Sequence, residues 1–322
     1  MTIAVIGTGL FGTAIALNLS SAGKFVKIWS RRKNISHNFH QNVLTLFNGI
    51  KKFEERNYLK MTNSLDEALQ NAEMLIMCKS SQETFPFLQE NSSVLRQVPI
   101  VFCAKGIDKG NHLLQTQIGD IIKPKSVSAV LTGPSFATDI ALEKPTALTV
   151  ACRDHKIAKF LQSNISTPSL RLYCSSDVIG AQLGGALKNV IAIGCGMVQG
   201  KNLGESAKTA LMTRGFSEMR RLGVSMGAQP ETFNGLSGFG DLSLTCNSIL
   251  SRNFNFGIQF VKNIENKTKT VEGYSTLDST IFLMKKNKIE APVIDSIARV
   301  LNGTLTIENA LKELMRRPLR SE

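Results

Sequence analysis

The sequence is short of several kinds of residue, and each shortage narrows what the chain can be. Its 322 residues include four histidines, one tryptophan and six cysteines. The cysteines form no C-x-x-C pair and lie mostly in apolar stretches, so we expect reduced, buried thiols in a cytoplasmic protein and no metal site. We see no uncharged apolar run of the roughly 18–20 residues that a membrane helix needs. The first predicted strand begins at residue 2 or 3, so we expect no signal peptide.

The charge is strongly unbalanced, with 38 Lys and Arg against 25 Asp and Glu, for a formal net charge of +13. The positive electrostatic potential that this net charge produces concentrates anionic small molecules near the protein surface. The basic residues are scattered, without a zinc-finger, RNP or basic-region motif, so we predict no nucleic-acid partner. Small basic clusters at 285–288 and 316–320 are typical of solvated faces, although they leave weak peripheral contact with an anionic membrane open.

A glycine-rich turn stands at the start of the chain. Residues 2–6 are a short apolar run, Gly7, Gly9 and Gly12 follow in a G-x-G-x-x-G pattern, and an apolar helical pattern begins at once. In a dinucleotide site the first glycine permits a tight turn, the second lets the backbone approach a pyrophosphate, and the third lets helix and strand pack closely. The helix N-terminus then offers N–H groups to the phosphates.

The end of the second predicted strand indicates which dinucleotide binds. Residues 24–29 read as that strand, and Ser30, Arg31 and Arg32 follow it. A carboxylate here would accept a hydrogen bond from the ribose 2′-hydroxyl of NAD, whereas an arginine accommodates the 2′-phosphate of NADP. No carboxylate is present, so we predict NADP(H), with NAD(H) as a second cofactor. The alternative is that both arginines belong to a solvated loop.

Apolar segments alternate with helical patterns as far as about residue 174, which predicts a doubly wound, mostly parallel α/β Rossmann sheet in residues 1–176. From residue 177 to 322 helical periodicity predicts an all-α domain. We expect its first helix to run from a cap at Ser176 or Asp177 through Ile193, and we read 35–60 as helix plus loop. The predicted strands after the second are 73–78, 99–104, 127–131, 146–151 and 170–173.

Polar residues directly follow two of the strands. Lys105 comes after one, and Gly133 and Ser135 come after another. Ligands of open α/β sheets bind outside the carboxyl ends of the strands. A lysine there suits a phosphate, and the Gly133 N–H with the Ser135 hydroxyl suits a second contact. Each residue alone is more often a surface lysine or an ordinary turn.

The first helix of the second domain carries one lysine on a stripe of small residues. At helical spacing, Lys188 shares a face with Ala181, Gly184, Gly185, Ala192 and Cys195. One interpretation is close helix packing with Lys188 extending out at the rim. The other is a pocket wall with an ammonium group whose pKa is lowered by burial and nearby cations, so that it exchanges a proton near neutrality.

A polar segment further along the chain supplies partners for that lysine. Asp241 follows two glycines, and Ser251, Arg252 and Asn253 form a polar triplet. Asp241 could pair with Lys188, while Arg252 and Asn253 could bind an anionic group. As isolated residues, Asp241 would more often cap a helix and Arg252 would be a surface charge.

Taken in order, these motifs resemble those of the bacterial form of NAD(P)-dependent glycerol-3-phosphate dehydrogenases over nearly the whole chain. The motifs are G-x-G-x-x-G-T-A, then 104–107, 133–137, 185–190, 240–246 and 251–253, with Val271-Glu272-Gly273 last. The resemblance implies a Rossmann domain followed by a helical domain, with the site between them. One departure is Leu10-Phe11, where the family commonly has Ser-Trp or Ser-Phe, so a hydroxyl contact is lost there.

The resemblance also implies roles for individual residues. It makes Lys188 the proton donor and acceptor, with Asp241 orienting it. Substrate contacts would come from Lys105, Gly133, Ser135, Lys188, Asp241, Ser251, Arg252 and Asn253. Cofactor contacts would come from Leu10, Phe11, Arg31, Arg32, Lys105, Ala137, Arg252 and Glu272, beside Gly7, Gly9 and Gly12 of the turn.

The resulting expectation is an enzyme that transfers a hydride reversibly between NADPH and dihydroxyacetone phosphate, giving sn-glycerol 3-phosphate for phospholipid synthesis. The four histidines lie outside these motifs, which disfavours a histidine-based 2-hydroxyacid dehydrogenase. Two rivals stay open: an NADP-dependent reductase of another small ketone such as ketopantoate, and a non-enzymatic NADP-binding sensor. A homodimer is also left open.

Overall fold

Among the residues that the structure describes, eight strands form one sheet in the order β3-β2-β1-β4-β5-β6-β7-β8. The computed structural model describes residues 1–31, 43, 47, 58–264 and 271–316. The strands are β1 (Thr2–Ile6), β2 (Phe25–Trp29), β3 (Leu59–Thr62), β4 (Ala72–Met77), β5 (Ile100–Phe102), β6 (Ser128–Thr132), β7 (Thr146–Cys152) and β8 (Leu170–Ser175).

The pairing is parallel except between β6 and β7, which confirms the predicted mostly parallel, doubly wound sheet. The strand order reverses at β1, which pairs with β2 on one side and β4 on the other. In such sheets ligands bind in the crevice at this reversal, outside the carboxyl ends of the strands.

Helices cover both faces of the sheet. Most buried strand residues belong to one apolar cluster that includes α1 or to another that includes Trp29, Phe87 and Phe102, while Val130 and Ala151 form a small third cluster with Val178 and Ala181. Buried on both faces, the strands read as continuous apolar runs, which is why the sequence located most of them. The helices of this part are α1 (Leu10–Ser21), α2 (Leu65–Leu69), α3 (Ser81–Asn91), α4 (Gln115–Ile122), α5 (Ala137–Ala141) and α6 (His155–Ile165).

Beyond the sheet the described chain is helical, as predicted. The α-helices are α7 (Val178–Gly200), α8 (Glu205–Ser225), α9 (Asp241–Cys246), α10 (Arg252–Val261), α11 (Glu272–Lys286), α12 (Pro292–Leu301) and α13 (Ile307–Met315). A 3-10 turn at Pro230–Asn234 and a π-helical turn at Leu236–Gly240 lie between α8 and α9.

Helix α7 forms the centre of this part and is longer than predicted. Asp177 caps it by accepting a hydrogen bond from the Gly180 N–H at 2.8 Å, as expected. The helix does not end near Ile193, because its glycines serve packing rather than termination. A Cβ at Gly196 would lie 2.0 Å from the Phe254 carbonyl oxygen, so only glycine lets α10 approach this closely.

The length of α7 also bears on whether the chain contains a helix that could span a membrane. By length and composition alone, Val178–Gly200 is long and apolar enough to cross a membrane. The expectation concerned uncharged runs, and this helix contains Lys188. In the structure 94% of its apolar window is buried against the rest of the protein. Helices at the core of folded domains share this composition.

Other parts of the sequence interpretation need correction or fall outside the described residues. Leu59 and Lys60 belong to edge strand β3, whereas the sequence interpretation had placed them in a helix or loop. The half-exposed pattern of this short strand provides no continuous apolar run to identify it. Arg32, most of 35–57 and the basic residues after Arg316 lie outside the described residues.

Candidate functional site

The glycine-rich turn has the geometry of a phosphate cradle. Gly7 has a φ of +113°, which L-residues with a side chain rarely adopt. A Cβ at Gly12 would lie 2.2 Å from the Gly7 carbonyl oxygen, whereas a Cβ at Gly9 would meet nothing within 4 Å. The turn and the helix packing therefore need Gly7 and Gly12, and the backbone at Gly9 faces open space, as a ligand approaching it requires.

Helix α1 begins at Leu10, directly after this turn, and Gly9 provides no side-chain cap. Its first N–H groups can therefore meet an anion, helped by the positive end of the helix dipole. Leu10 is 39% exposed at this point and Arg31 is exposed just beyond β2, while Phe11 is partly buried. These observations fit a dinucleotide whose pyrophosphate lies over Gly9.

A buried charge cluster lies where the helical part meets the ends of the strands. Lys188 of α7 is only 5% exposed and donates a hydrogen bond to Asp241 Oδ1. It also donates to the Thr245 hydroxyl at 2.7 Å, and that hydroxyl donates to the Asp241 carbonyl oxygen at 2.6 Å. Lys188 therefore does not extend out at the rim of a packed helix, and two of its three N–H donors are oriented by α9.

Lys105 binds the same carboxylate from the other side. Its ammonium donates to Asp241 Oδ2 at 2.7 Å and to the Gly133 carbonyl oxygen at 2.8 Å. The Asn189 side chain holds the backbone of the loop after β5 in place by donating a hydrogen bond to the Lys105 carbonyl oxygen at 3.0 Å. Two cations thus face one anion, and the cluster keeps a positive charge.

Burial changes the acidity of Lys188. Removal from water lowers the pKa of its ammonium to about 8, with the charge of Lys105 acting in the same direction and Asp241 opposing both. A lysine with this pKa can donate a proton at neutral pH and accept one slightly above it. The lowered pKa is what the second interpretation of the small-residue stripe requires of Lys188.

The small residues of α7 allow the cluster to form. A Cβ at Gly184 would lie 2.3 Å from the Ser237 carbonyl oxygen, and one at Gly185 would lie 2.8 Å from Thr132 Oγ1. Glycine at both positions lets α7 touch the π-helical turn on one side and the end of β6 on the other. This contact aligns Lys188 with Asp241 and Lys105.

The loop after β6 contributes a polar group without an internal partner. Gly133 has a φ of +134°, and the buried Ser135 hydroxyl has no hydrogen-bond partner among the described residues. Buried hydroxyls are ordinarily satisfied, so this one is suited to a ligand. Ala137 begins α5 two residues later.

The polar triplet begins helix α10, close to α7. The Ser251 hydroxyl caps the helix by accepting a hydrogen bond from the Phe254 N–H at 3.2 Å. Asn253 Oδ1 accepts from the Gly273 N–H at 2.9 Å, which leaves its Nδ2 group as the donor for an anion. Arg252 is exposed between them, and Glu272 is partly buried beside Gly273. A Cβ at Gly273 would lie 2.6 Å from the Asn189 carbonyl oxygen, so these helix starts adjoin Lys188.

The structure therefore brings Lys105, Gly133, Lys188 and Asp241 into direct contact, with the start of α10 nearby. Sequence reasoning proposed the Lys188–Asp241 pair but missed the bond between Lys105 and Asp241. It also gave no role to Thr245 or Asn189. The spacing of Asp241 and Thr245, four residues apart on a helix, was the available signal for Thr245.

Comparisons with known proteins agree with this architecture. Residues 2–158 match the family described as "NAD-dependent glycerol-3-phosphate dehydrogenase N-terminus", and residues 177–312 match the corresponding C-terminus. Glycerol-3-phosphate dehydrogenase [NAD(P)+] of Parvibaculum lavamentivorans is 41% identical, covering 99% of this chain and 98% of that protein. The enzyme of the same name from Paracoccus denitrificans is also 41% identical, with 100% of both chains covered.

A solved structure gives the same result in three dimensions. The crystal structure of glycerol-3-phosphate dehydrogenase from Coxiella burnetii superposes with a TM-score of 0.91 at 31% identity, covering 98% of this chain and 99% of that one. The chain belongs to the NAD-dependent glycerol-3-phosphate dehydrogenase family.

Proposed function

We propose that this protein reduces dihydroxyacetone phosphate to sn-glycerol 3-phosphate, reversibly, with NADPH as the preferred cofactor. The observation that carries the proposal is the buried cluster of Lys188, Asp241 and Lys105 at the carboxyl edge of a dinucleotide-binding sheet. The matched relatives are named for this activity.

Lys188 handles the proton. Its ammonium, oriented by Asp241 and Thr245, has a third N–H bond with which to meet the ketone oxygen of the substrate. As the carbonyl carbon is reduced, Lys188 gives that oxygen a proton and becomes a neutral amine. In the reverse direction the amine removes the proton from the alcohol. Asp241 stabilises the ammonium form and holds the group in place.

Substrate binding uses residues from both parts of the chain. Lys105 and the Ser135 hydroxyl lie at strand ends, while Arg252 and Asn253 lie at the start of α10. The guanidinium and the amide N–H groups suit the phosphate of the substrate. Gly133 contributes its backbone, and Ser251 positions Arg252 by capping the helix rather than through a hydroxyl directed at the ligand.

Bound NAD(P)H supplies the hydride, and the protein orients it. Gly7, Gly9, Gly12 and the first N–H groups of α1, at Leu10 and Phe11, would hold the pyrophosphate. Arg31 would meet the 2′-phosphate, and Lys105, Ala137, Arg252 and Glu272 would line the path toward the nicotinamide. Arg32 is assigned the same role as Arg31 on its sequence position alone.

The rival functions are less well supported. A reductase of a ketoacid such as ketopantoate would bind a carboxylate and has no need for cations from both parts of the chain. A sensor without chemistry would have no need for a buried lysine with a pKa near neutrality. The full-length similarity to dehydrogenases disfavours both.

One experiment tests the proposal directly. NADPH oxidation by the purified protein is followed with dihydroxyacetone phosphate, dihydroxyacetone and ketopantoate as substrates. We expect turnover with the phosphorylated ketone and little with the other two. Turnover with ketopantoate alone, or tight NADPH binding without turnover, would overturn it in favour of the respective rival.

The same proposal extends to the cellular location of the enzyme, the use of its product, its domain division and its oligomeric state. All six cysteines are free thiols, which supports a cytoplasmic location, and the product would feed phospholipid synthesis. We divide the chain into a dinucleotide-binding domain of residues 1–176 and a catalytic helical domain of residues 177–322. A homodimer is tested by sedimentation of the purified protein.

A further inference from the structure

A lysine outside the assigned site stands at the strand reversal where the cofactor would lie. Lys79 comes two residues after the end of β4, next to β1. Its backbone adjoins the glycine-rich turn, since a Cβ at Gly7 would lie 3.5 Å from the Lys79 nitrogen. Lys79 is therefore part of the crevice itself.

The side chain of Lys79 is held by aromatic rings. Its Nζ lies 5.7 Å from the centre of the Trp29 ring and 5.2 Å from that of Phe87. Trp29 is the last residue of β2, so the ammonium lies beyond the end of β1, on the side toward β2. Stacking on two rings restricts a flexible side chain to one region before any ligand binds.

Among the described residues the ammonium has an acidic partner in Glu83, four positions along the chain, but the ion pair is a long one. Its nearest carboxylate oxygen, Glu83 Oε1, is 3.7 Å away, although the Lys79 side chain is only 12% exposed. Glu83 is shared between two partners, because its other oxygen, Oε2, accepts a hydrogen bond from the Ser80 hydroxyl at 2.8 Å in the cap of α3. A separation of 3.7 Å is too long for a hydrogen bond, so this ion pair leaves the N–H donors of Lys79 available to an incoming anion.

Arg31 follows β2 two residues after Trp29, whose ring is one of the two beneath Lys79. Burial raises the pKa of Glu83, but the Ser80 hydroxyl, Lys79 and Arg31 outweigh it and hold that pKa below its usual value. Arg31 and Lys79 therefore both act on Glu83, one from the end of β2 and the other from the end of β4. The 2′-phosphate of NADP lies close to the end of the second strand in folds of this type.

We propose that Lys79 is a second contact for the 2′-phosphate of NADPH, opposite Arg31, and so helps determine cofactor preference. The inference deepens the proposed preference for NADPH and rests on it. It concerns binding of the adenosine half of the cofactor and does not require that the ketone substrate be correctly identified.

The test is calorimetric titration of wild type and Lys79→Met with NADPH, NADH and adenosine 2′,5′-bisphosphate. Methionine keeps the apolar stem and removes the charge. We expect Lys79→Met to bind NADPH and the bisphosphate at least about tenfold more weakly than wild type does, since the loss of one hydrogen bond to a charged group lowers an affinity by that factor or more. NADH affinity should change less than about twofold, because NADH has no 2′-phosphate. Lys79→Arg should keep most of the preference.

Arg171→Met is the matched control. Arg171 also stacks on an aromatic ring, at 5.3 Å from the centre of Tyr173, but it lies on β8 at the far edge of the sheet. Arg171→Met should leave the affinities for NADPH, NADH and the bisphosphate unchanged. A purely structural role for Lys79 would lower Tm and weaken both cofactors alike, and that result, like unchanged NADPH binding, would overturn the proposal. Failure of the proposed activity would instead appear as missing turnover with normal cofactor binding.

Discussion

Lys105 and Lys188 bind different oxygens of the same carboxylate, that of Asp241. The two lysines come from the end of a strand and the middle of a helix, so the carboxylate joins the sheet to the helical part. One anion cannot neutralise two cations, and the remaining positive charge attracts an anionic substrate. Burial lowers the pKa of Lys188, and the charge of Lys105 lowers it further. The substrate binding and the acid–base chemistry that we propose would thus depend on one arrangement.

The first prediction concerns pH. Lys188 has a pKa lowered to about 8, so its ammonium, the acid needed for reduction, is lost as pH rises through that value. The kcat/KM for ketone reduction should fall above about pH 8, and that for alcohol oxidation should rise over the same range because it needs the amine. Initial rates in both directions between about pH 6.5 and 9.5 measure this. Parallel changes in the two directions would contradict the assigned role.

The second prediction removes the lysine. Lys188→Ala should lower kcat by about 10²–10⁴, the usual contribution of a positioned proton donor. NADPH affinity should change little, since Lys188 contacts Asp241 and Thr245 rather than the glycine-rich turn. Lys188→Arg should not restore activity, because a guanidinium does not release its proton near neutrality.

Stopped-flow hydride transfer and NADPH titration of the same preparations separate chemistry from folding. Lys109→Ala, which removes an exposed lysine paired with Asp278, is the control and should keep full activity. Near-normal kcat in the arginine variant would assign Lys188 to packing.

The third prediction concerns the arginines after β2. Replacing Arg31 and Arg32 together by alanine should weaken NADPH binding by about ten- to a hundredfold, because the loss of one charge-assisted bond to the 2′-phosphate costs about 1.5–3 kcal/mol. NADH should be affected far less, and the ratio of kcat/KM for the two cofactors measures the difference. Equal weakening of both cofactors would show that the arginines do not contact the 2′-phosphate.

Much of this architecture could be predicted from the sequence because the signals are local. The glycine spacing and the apolar strands depend on neighbouring residues, and the Lys188–Asp241 pair was suggested by one lysine on a small-residue face. The bond from Lys105 to Asp241 joins residues 136 positions apart, and no local pattern encodes it. The predicted end of α7 at Ile193 is too early, because only the packed structure shows that Gly196 continues the helix and makes room for α10. The position of Lys79 between two rings is likewise a tertiary property.

The last prediction concerns the substrate phosphate. Arg252 lies at the first turn of α10, where its guanidinium and the positive end of the helix dipole act in the same direction. Lys105 lies at the end of a strand, so the phosphate would be bound from both parts of the chain at once. Binding energy from this remote group then serves to orient the ketone for reduction. Arg252→Ala should therefore lower kcat/KM for dihydroxyacetone phosphate by more than about tenfold, at about 1.5–3 kcal/mol for a charged hydrogen bond.

The same substitution should change the poor use of phosphate-free dihydroxyacetone much less, because that substrate has no group for Arg252 to bind. Added phosphite should partly restore the phosphate-free reaction in the wild-type enzyme and not in the variant. Arg153→Ala is the control, since Arg153 pairs with Asp120 on an exposed surface. Steady-state kinetics with both substrates measure the effect. If Arg252→Ala harms both substrates by the same factor, the arginine acts on the cofactor or on the fold, and the phosphate is bound by Lys105 and Asn253 instead.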